Sequence, residues 1–188
     1  MIKLHVILAS TRPGRAGKPI ADWFTSVASK DARFETKLVD LKEVNLPFLD
    51  EPEHPRFKRY TQQHTKDWSA LVDAADAFVF VTCEYNYGYP ATLKNAIDFV
   101  YQEWGHKPIG FVGYGGASGG TRAIQQLRQV AGAVQLVSVA ESVIIPMFSQ
   151  FLKEGTFAPP EAQEKSAHGM LDALARYADA LRPLRAPR

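Results

Sequence analysis

Five short strand-like runs recur along the chain, each followed by a stretch with helical periodicity, and this alternation limits the possible folds more than any other feature. The runs are Leu4–Ala9, Phe34–Leu41, Ala77–Thr82, Pro108–Val112 and a broken fifth, Val134–Val139 with Val143–Ile145. Between them Ile20, Trp23, Phe24, Val27 and Ala28 fall on one helical face. Trp68, Leu71, Val72 and Ala75 mark a second helix, with others over Leu93–Tyr101, Thr121–Ala131 and Ala162–Leu181. Prolines at 47, 52 and 55 predict an irregular connection over 42–57, and Ser149–Pro160 reads as a lid or loop. Buried strands alternating with helices require crossover connections, hence a five-stranded parallel sheet with helices on both faces. A chain of 188 residues suits one such domain, expected over 1–182, with 183–188 as a frayed tail.

Composition narrows the function. Twenty-two Lys and Arg against 20 Asp and Glu leave a formal charge of +2, without the concentrated basic face of a nucleic-acid binder. Cys83 is the sole cysteine, so neither an internal disulfide nor a thiolate cluster is available, and a reducing cytoplasmic setting is expected. The apolar start, MIKLHVILAS, is too short to span a bilayer, and no membrane association is expected.

In doubly wound sheets ligands bind outside the carboxyl ends of the strands, which directs attention to three loops. The first, Ser10 to Gly17, joins strand to helix with two hydroxyls, Arg12, Arg15 and two glycines, a donor set suited to an anion at a helix start. It lacks the Gly-Lys-Ser/Thr ending of a Walker loop. Asp40 stands where a ribose-binding acid would, yet Gly14 and Gly17 are too few for a dinucleotide fingerprint. The second loop, Cys83-Glu84-Tyr85-Asn86-Tyr87-Gly88-Tyr89-Pro90, offers three tyrosines as a platform for a planar heterocycle. The third, Gly115 to Gly120, is rich in backbone donors and contains Gly-x-Ser-x-Gly at Gly116, Ser118 and Gly120.

Ser-Thr-Arg-Pro-Gly-Arg after the first strand, with Glu-Tyr-Asn-Tyr-Gly-Tyr-Pro-Ala-Thr-Leu-Lys-Asn-Ala-Ile-Asp after the third, resembles the NAD(P)H-dependent FMN reductase family. The resemblance covers nearly the whole chain and is most specific from Glu84 to Asp98. It implies a flavodoxin-like fold and hydride transfer from NADH or NADPH through FMN to a quinone, flavin, azo compound or metal oxyanion. Ser10, Thr11, Arg12, Arg15 and Gly17 would then hold the FMN phosphate. Cys83, Glu84, Tyr85 and Asn86 would line the isoalloxazine, and Gly116, Ala117, Ser118 and Gly119 would place backbone donors near its N1 and O2. No catalytic side chain is implied, because the flavin supplies the chemistry. The position before Glu84 is usually proline in this family and is Cys83 here.

Two other readings compete. A flavodoxin-type electron carrier would need a strongly charged docking face, against which the +2 balance speaks. A serine hydrolase built on Ser118 would need a downstream histidine, and only His168 follows, inside the last helical stretch. By resemblance the protein is a homodimer or homotetramer. Phe99, Val100, Tyr101, Trp104, Met147, Phe148 and Phe151 are expected to supply the shared surface, and Phe148, Phe151 and Phe157 are candidates for a roof over the flavin.

Overall fold

In the computed structural model, which describes residues 1–185, the parallel sheet has strand order β2-β1-β3-β4-β5. Its strands are Ile2–Leu8 (β1), Phe34–Asp40 (β2), Ala77–Cys83 (β3), Pro108–Tyr114 (β4) and Val137–Ile145 (β5). The helices are Gly17–Ser29 (α1), Leu41–Val44 (α2), Gln63–Asp73 (α3), Ala91–Asp98 (α4), Thr121–Ala133 (α5) and Glu161–Leu181 (α6). Alternate residues of the central strands feed two separate cores, as a period of two demands. Leu4, Val6 and Leu8 of β1 and Val79 and Val81 of β3 pack toward α1 and α6. Ile7, Phe78, Phe80 and Phe111 pack on the other face with Trp68 of α3, Leu93 of α4 and Leu127 of α5. Gly110 in β4 makes the first core possible, since a Cβ there would lie 2.5 Å from Met170 Sδ on α6.

The strand order reverses between β1 and β3, because β2 lies to one side of β1 and every later strand to the other. A crevice opens at such a reversal, between the loops that leave the two strands.

Several boundaries depart from the sequence expectation. The fifth strand is one element, interrupted only by a bulge: Ile109 pairs with Ser138 but Phe111 pairs with Ser142. Arg128 of α5 holds that bulge, donating to the carbonyls of Val139 at 2.7 Å and Ala140 at 3.0 Å and so satisfying acceptors the ladder leaves unpaired. The segment 149–160 is not an open lid. A single 3-10 turn, Phe148–Phe151, leads into a small antiparallel hairpin of Leu152–Lys153 (β6) and Thr156–Phe157 (β7). Phe157 there packs edge-on to Trp23 of α1 at 5.2 Å, which makes it core rather than roof.

Trp104 also turns inward. It is fully buried on the α3/α4 side, 4.9 Å centroid to centroid from Phe78, with its indole N–H donating to the Ile97 carbonyl at 3.1 Å. Phe99 and Val100 are buried with it, so these three do not form an exposed surface. Their place in the core follows from α4 ending at Asp98: the chain folds under the sheet in a 3-10 turn over Gln102–Trp104. Glu103 in that turn is buried, accepting hydrogen bonds from the Tyr60 hydroxyl at 3.0 Å and the Ser69 hydroxyl at 2.6 Å. Arg182–Arg185 form a 3-10 turn that runs into the stretch expected to fray from 183 on, and Arg185 donates to the Asp76 carbonyl at 2.8 Å. Residues 186–188 of that expected tail lie outside the described residues. No described helix is long and apolar enough to cross a membrane.

Candidate functional site

A cleft of about 440 Å³ lies at the strand reversal, walled by all three loops. Of the sequence candidates, Ser10, Arg12, Arg15, Cys83, Glu84, Tyr85 and Gly116 line it. Thr11, Gly17, Asn86, Ala117, Ser118 and Gly119 belong to the same three loops but do not line it.

The first loop is a tight turn. Pro13 and Gly14, the latter at φ +65°, fill the two central positions, and the Arg15 amide donates to the Arg12 carbonyl at 3.1 Å. The turn sets Arg12 exposed at the cleft mouth with no ion-pair partner among the described residues. Behind it, α1 begins without a side-chain cap and without an acidic residue in its first turn. Its free amides and the positive end of its dipole therefore face this end of the cleft. Arg15 behaves differently from Arg12. Its guanidinium forms a bidentate pair with Asp40 and donates to the Ser10 carbonyl at 2.6 Å. The hydrogen bond to Asp40 raises Arg15 above its ordinary value. Asp40, despite burial pushing it up, is held below the usual carboxylate range by Arg15 and the Lys42 amide.

The floor belongs to a residue outside the sequence candidates. Tyr114 ends β4, is 3% exposed, and reaches the start of α1 because Gly17 has no Cβ to obstruct its hydroxyl. The Cys83 thiol and the Ser10 hydroxyl are polar neighbours of that phenol, and Tyr85 adjoins both. Burial pushes Cys83 and Tyr114 upward, so both stay protonated at neutral pH. Cys83 thus packs as a small neutral group rather than a reactive thiolate. The available sequence signal was a polar-tipped aromatic at a strand's carboxyl end, directly before the Gly115–Gly120 loop.

In the second loop, Tyr85 and Gly88 exchange backbone hydrogen bonds of 2.8 and 2.9 Å around Asn86 and Tyr87, both at positive φ. This two-residue turn breaks up the expected platform of three tyrosines. Tyr85 faces the cleft and Tyr89 joins the α3/α4 core. Tyr87 lies 3.7 Å under the Arg122 guanidinium, whose Nε also donates to Glu84 at 2.5 Å. Burial pushes the Glu84 carboxyl up, but Arg122 and the Ser118 hydroxyl outweigh that and hold it low.

The third loop contributes Gly115 and Gly116 to the wall, while Gly119 is pinned against β5: a Cβ there would lie 2.7 Å from Ile144. Phe148 lines one side of the cleft, edge-on to Tyr114 at 5.3 Å; Phe151 packs against the α1/α6 core. Ser118 has no base. His168 lies on α6 beside Asp31, which precedes β2 at the amino end of the sheet, far from the carboxyl-end loops. The hydrolase reading falls with that separation.

A family model described as NADPH-dependent FMN reductase matches residues 2–150. The chain belongs to that family. The reductase is 44% identical over 136 residues to an NAD(P)H-dependent FMN reductase of Schizosaccharomyces pombe, covering 71% of this chain and 68% of that protein. It is 34% identical over 146 residues to the NAD(P)H-dependent FMN reductase LOT6 of Saccharomyces cerevisiae, covering 72% and 76%. A 2-hydroxy-1,4-benzoquinone reductase of Burkholderia sp is 31% identical over 143 residues, covering 72% and 73%. The flavoenzyme NAD(P)H:(acceptor) oxidoreductase FerB of Paracoccus denitrificans shares the fold, with TM-score 0.74 at 21% identity over 96% of this chain and 98% of that one. The reductase is therefore an FMN-dependent oxidoreductase that takes hydride from NAD(P)H and passes it to a small-molecule acceptor, with the flavodoxin-like fold.

Proposed function

We propose that the cleft between the first, second and third loops holds FMN and that the acceptor is a quinone or a comparably flat, electron-poor molecule. The observation that carries this reading is the polarity of this cleft: an Arg12 with no ion-pair partner among the described residues and an uncapped helix start at one end, Tyr85 and the Gly115–Gly116 backbone at the other, and Tyr114 as the floor between them. Those ends fit a phosphate and a planar ring respectively. When bound, FMN supplies the two-electron chemistry between nicotinamide and acceptor.

The residues divide the remaining tasks. Arg12, Thr11 and the first amides of α1 hold the phosphate, with Gly17 and Ser10 shaping the loop beneath it. Tyr85 and the backbone of Glu84 and Asn86 fix the ring edge, and Cys83 lies under it as a neutral packing group. Gly116 with Ala117, Ser118 and Gly119 brings main-chain donors to the opposite edge. Phe148 excludes water from one side, leaving the other open for nicotinamide and acceptor in turn. Support for a quinone comes from the benzoquinone reductase among the relatives.

The reading extends to a homodimer or homotetramer. Phe48 at 87% exposed, with Leu49, Tyr87 and Met147 also exposed, leaves apolar surface in the loops at the carboxyl end of the sheet. A cytoplasmic location suits a chain whose one cysteine is a buried free thiol.

The test is titration of apoprotein with FMN and with riboflavin, beside anaerobic NADPH addition followed in the visible spectrum. Arg12→Ala is expected to weaken FMN by about tenfold to a hundredfold, the worth of one charge-assisted phosphate contact, and to leave riboflavin unchanged. A folded Arg12→Ala protein with wild-type FMN affinity would remove this end of the cleft from the site. Sedimentation at micromolar concentration checks the oligomer, and an active monomer would overturn that part.

A further inference from the structure

Arg15 and Arg12 sit in one loop, yet the structure gives them opposite situations. Both Asp40 oxygens and the Ser10 carbonyl take up the Arg15 guanidinium, and its own amide closes the turn on Arg12. The Arg15 and Asp40 side chains are 13% and 3% exposed, so the pair is shielded from solvent. Asp40 Oδ1 also accepts from the Lys42 amide at 2.9 Å, where it caps α2. One carboxylate thus joins the end of β2, the start of α2 and the loop that follows β1.

We infer that Arg15 is a positioning residue for the phosphate loop, acting through Asp40 and Ser10, and that Asp40 is its obligate partner in cofactor binding. The inference rests on the cleft being the FMN site. A guanidinium already committed to a bidentate carboxylate and a carbonyl would have to leave buried partners unpaired to grip a phosphate, which is costly. Held where it is, it draws the loop's two ends together, so that Arg12 projects toward the cleft and the α1 amides stay aligned. Asp40 is the acid at the end of the second strand that a dinucleotide fold would spend on ribose; here it is spent on the loop.

The experiment compares Asp40→Asn, Arg15→Gln and the double variant, each checked for folding by circular dichroism and urea unfolding. Apparent Kd is measured for FMN and for riboflavin, which lacks the phosphate. Asparagine can still cap α2, so Asp40→Asn removes the charged bidentate pair while sparing the helix. Each single variant is expected to raise the FMN Kd by about tenfold or more, with riboflavin unchanged and the double no worse than the weaker single, as for residues acting as one unit. Arg15→Gln weakening FMN while Asp40→Asn leaves it unchanged or tighter would overturn the inference, because Arg15 would then be a direct phosphate ligand. Equal losses toward FMN and riboflavin would also overturn it, showing a general structural role. If neither variant nor Arg12→Ala alters FMN affinity, the assignment of the cleft itself fails.

Discussion

Gly17→Ala tests the contact on which the floor of the cleft depends. A Cβ at Gly17 would overlap the Tyr114 hydroxyl and stand 3.0 Å from Leu8 Cδ1 and 3.1 Å from Tyr114 Cζ. The phenol cannot swing clear, since Tyr114 is 3% exposed and Phe148 lies edge-on against its ring. Overpacking of a well-filled site costs about 1–3 kcal/mol, and replacing glycine in a helix by alanine returns at most about 1 kcal/mol. The net expectation is a loss of about 1–2 kcal/mol, or roughly 2–8 °C in Tm for a chain of this length. Tyr114→Phe alone removes only the hydroxyl and should cost at most about 1.5 kcal/mol. Because it also removes the overlapping atom, the double variant should be more stable than the two single losses combined by about 1 kcal/mol. Urea unfolding of the four apoproteins measures the cycle. Strict additivity, or a Gly17→Ala protein as stable as wild type, would refute the claim that Gly17 exists to admit Tyr114.

Two further outcomes follow from buried groups. His5, on β1, has its pKa lowered to about 4, first by burial and then by Lys37 and Lys107, against its ordinary 6.5. The unfolded chain therefore binds the proton first: the associated stability is complete above pH 6.5 and is lost as pH falls toward 4, by at most about 3 kcal/mol. His5→Leu should flatten the stability profile over that window, and an unchanged slope in urea titrations across it would contradict the assignment. Trp104→Glu would place a charge among Phe78, Phe80 and Trp68 and is expected to abolish soluble expression, whereas Trp104→Phe should remain folded. A soluble, well-folded Trp104→Glu protein defective only in assembly would return this residue to the surface.

Periodicity in the sequence was enough to define the layered sheet and the three loops at its carboxyl edge, and the residues of two of those loops carried the resemblance to the family. Those features are local: a run of β-branched residues, a helical spacing or a Gly-Tyr-Pro turn announces itself within about ten positions. The same local rules say that Trp104 is apolar, not whether it packs under its own sheet or on another subunit. Nor can they separate Arg12 from Arg15, which share composition and loop. Asp40 decides the role of Arg15, and Tyr114 that of Gly17, by approaching from other strands, across contacts that exist only once β1, β2 and β4 lie side by side. Spacing along a chain says which residues share a face. Which charge finds a partner, and which glycine is kept for a neighbour's hydroxyl, depends on distances that only packing creates.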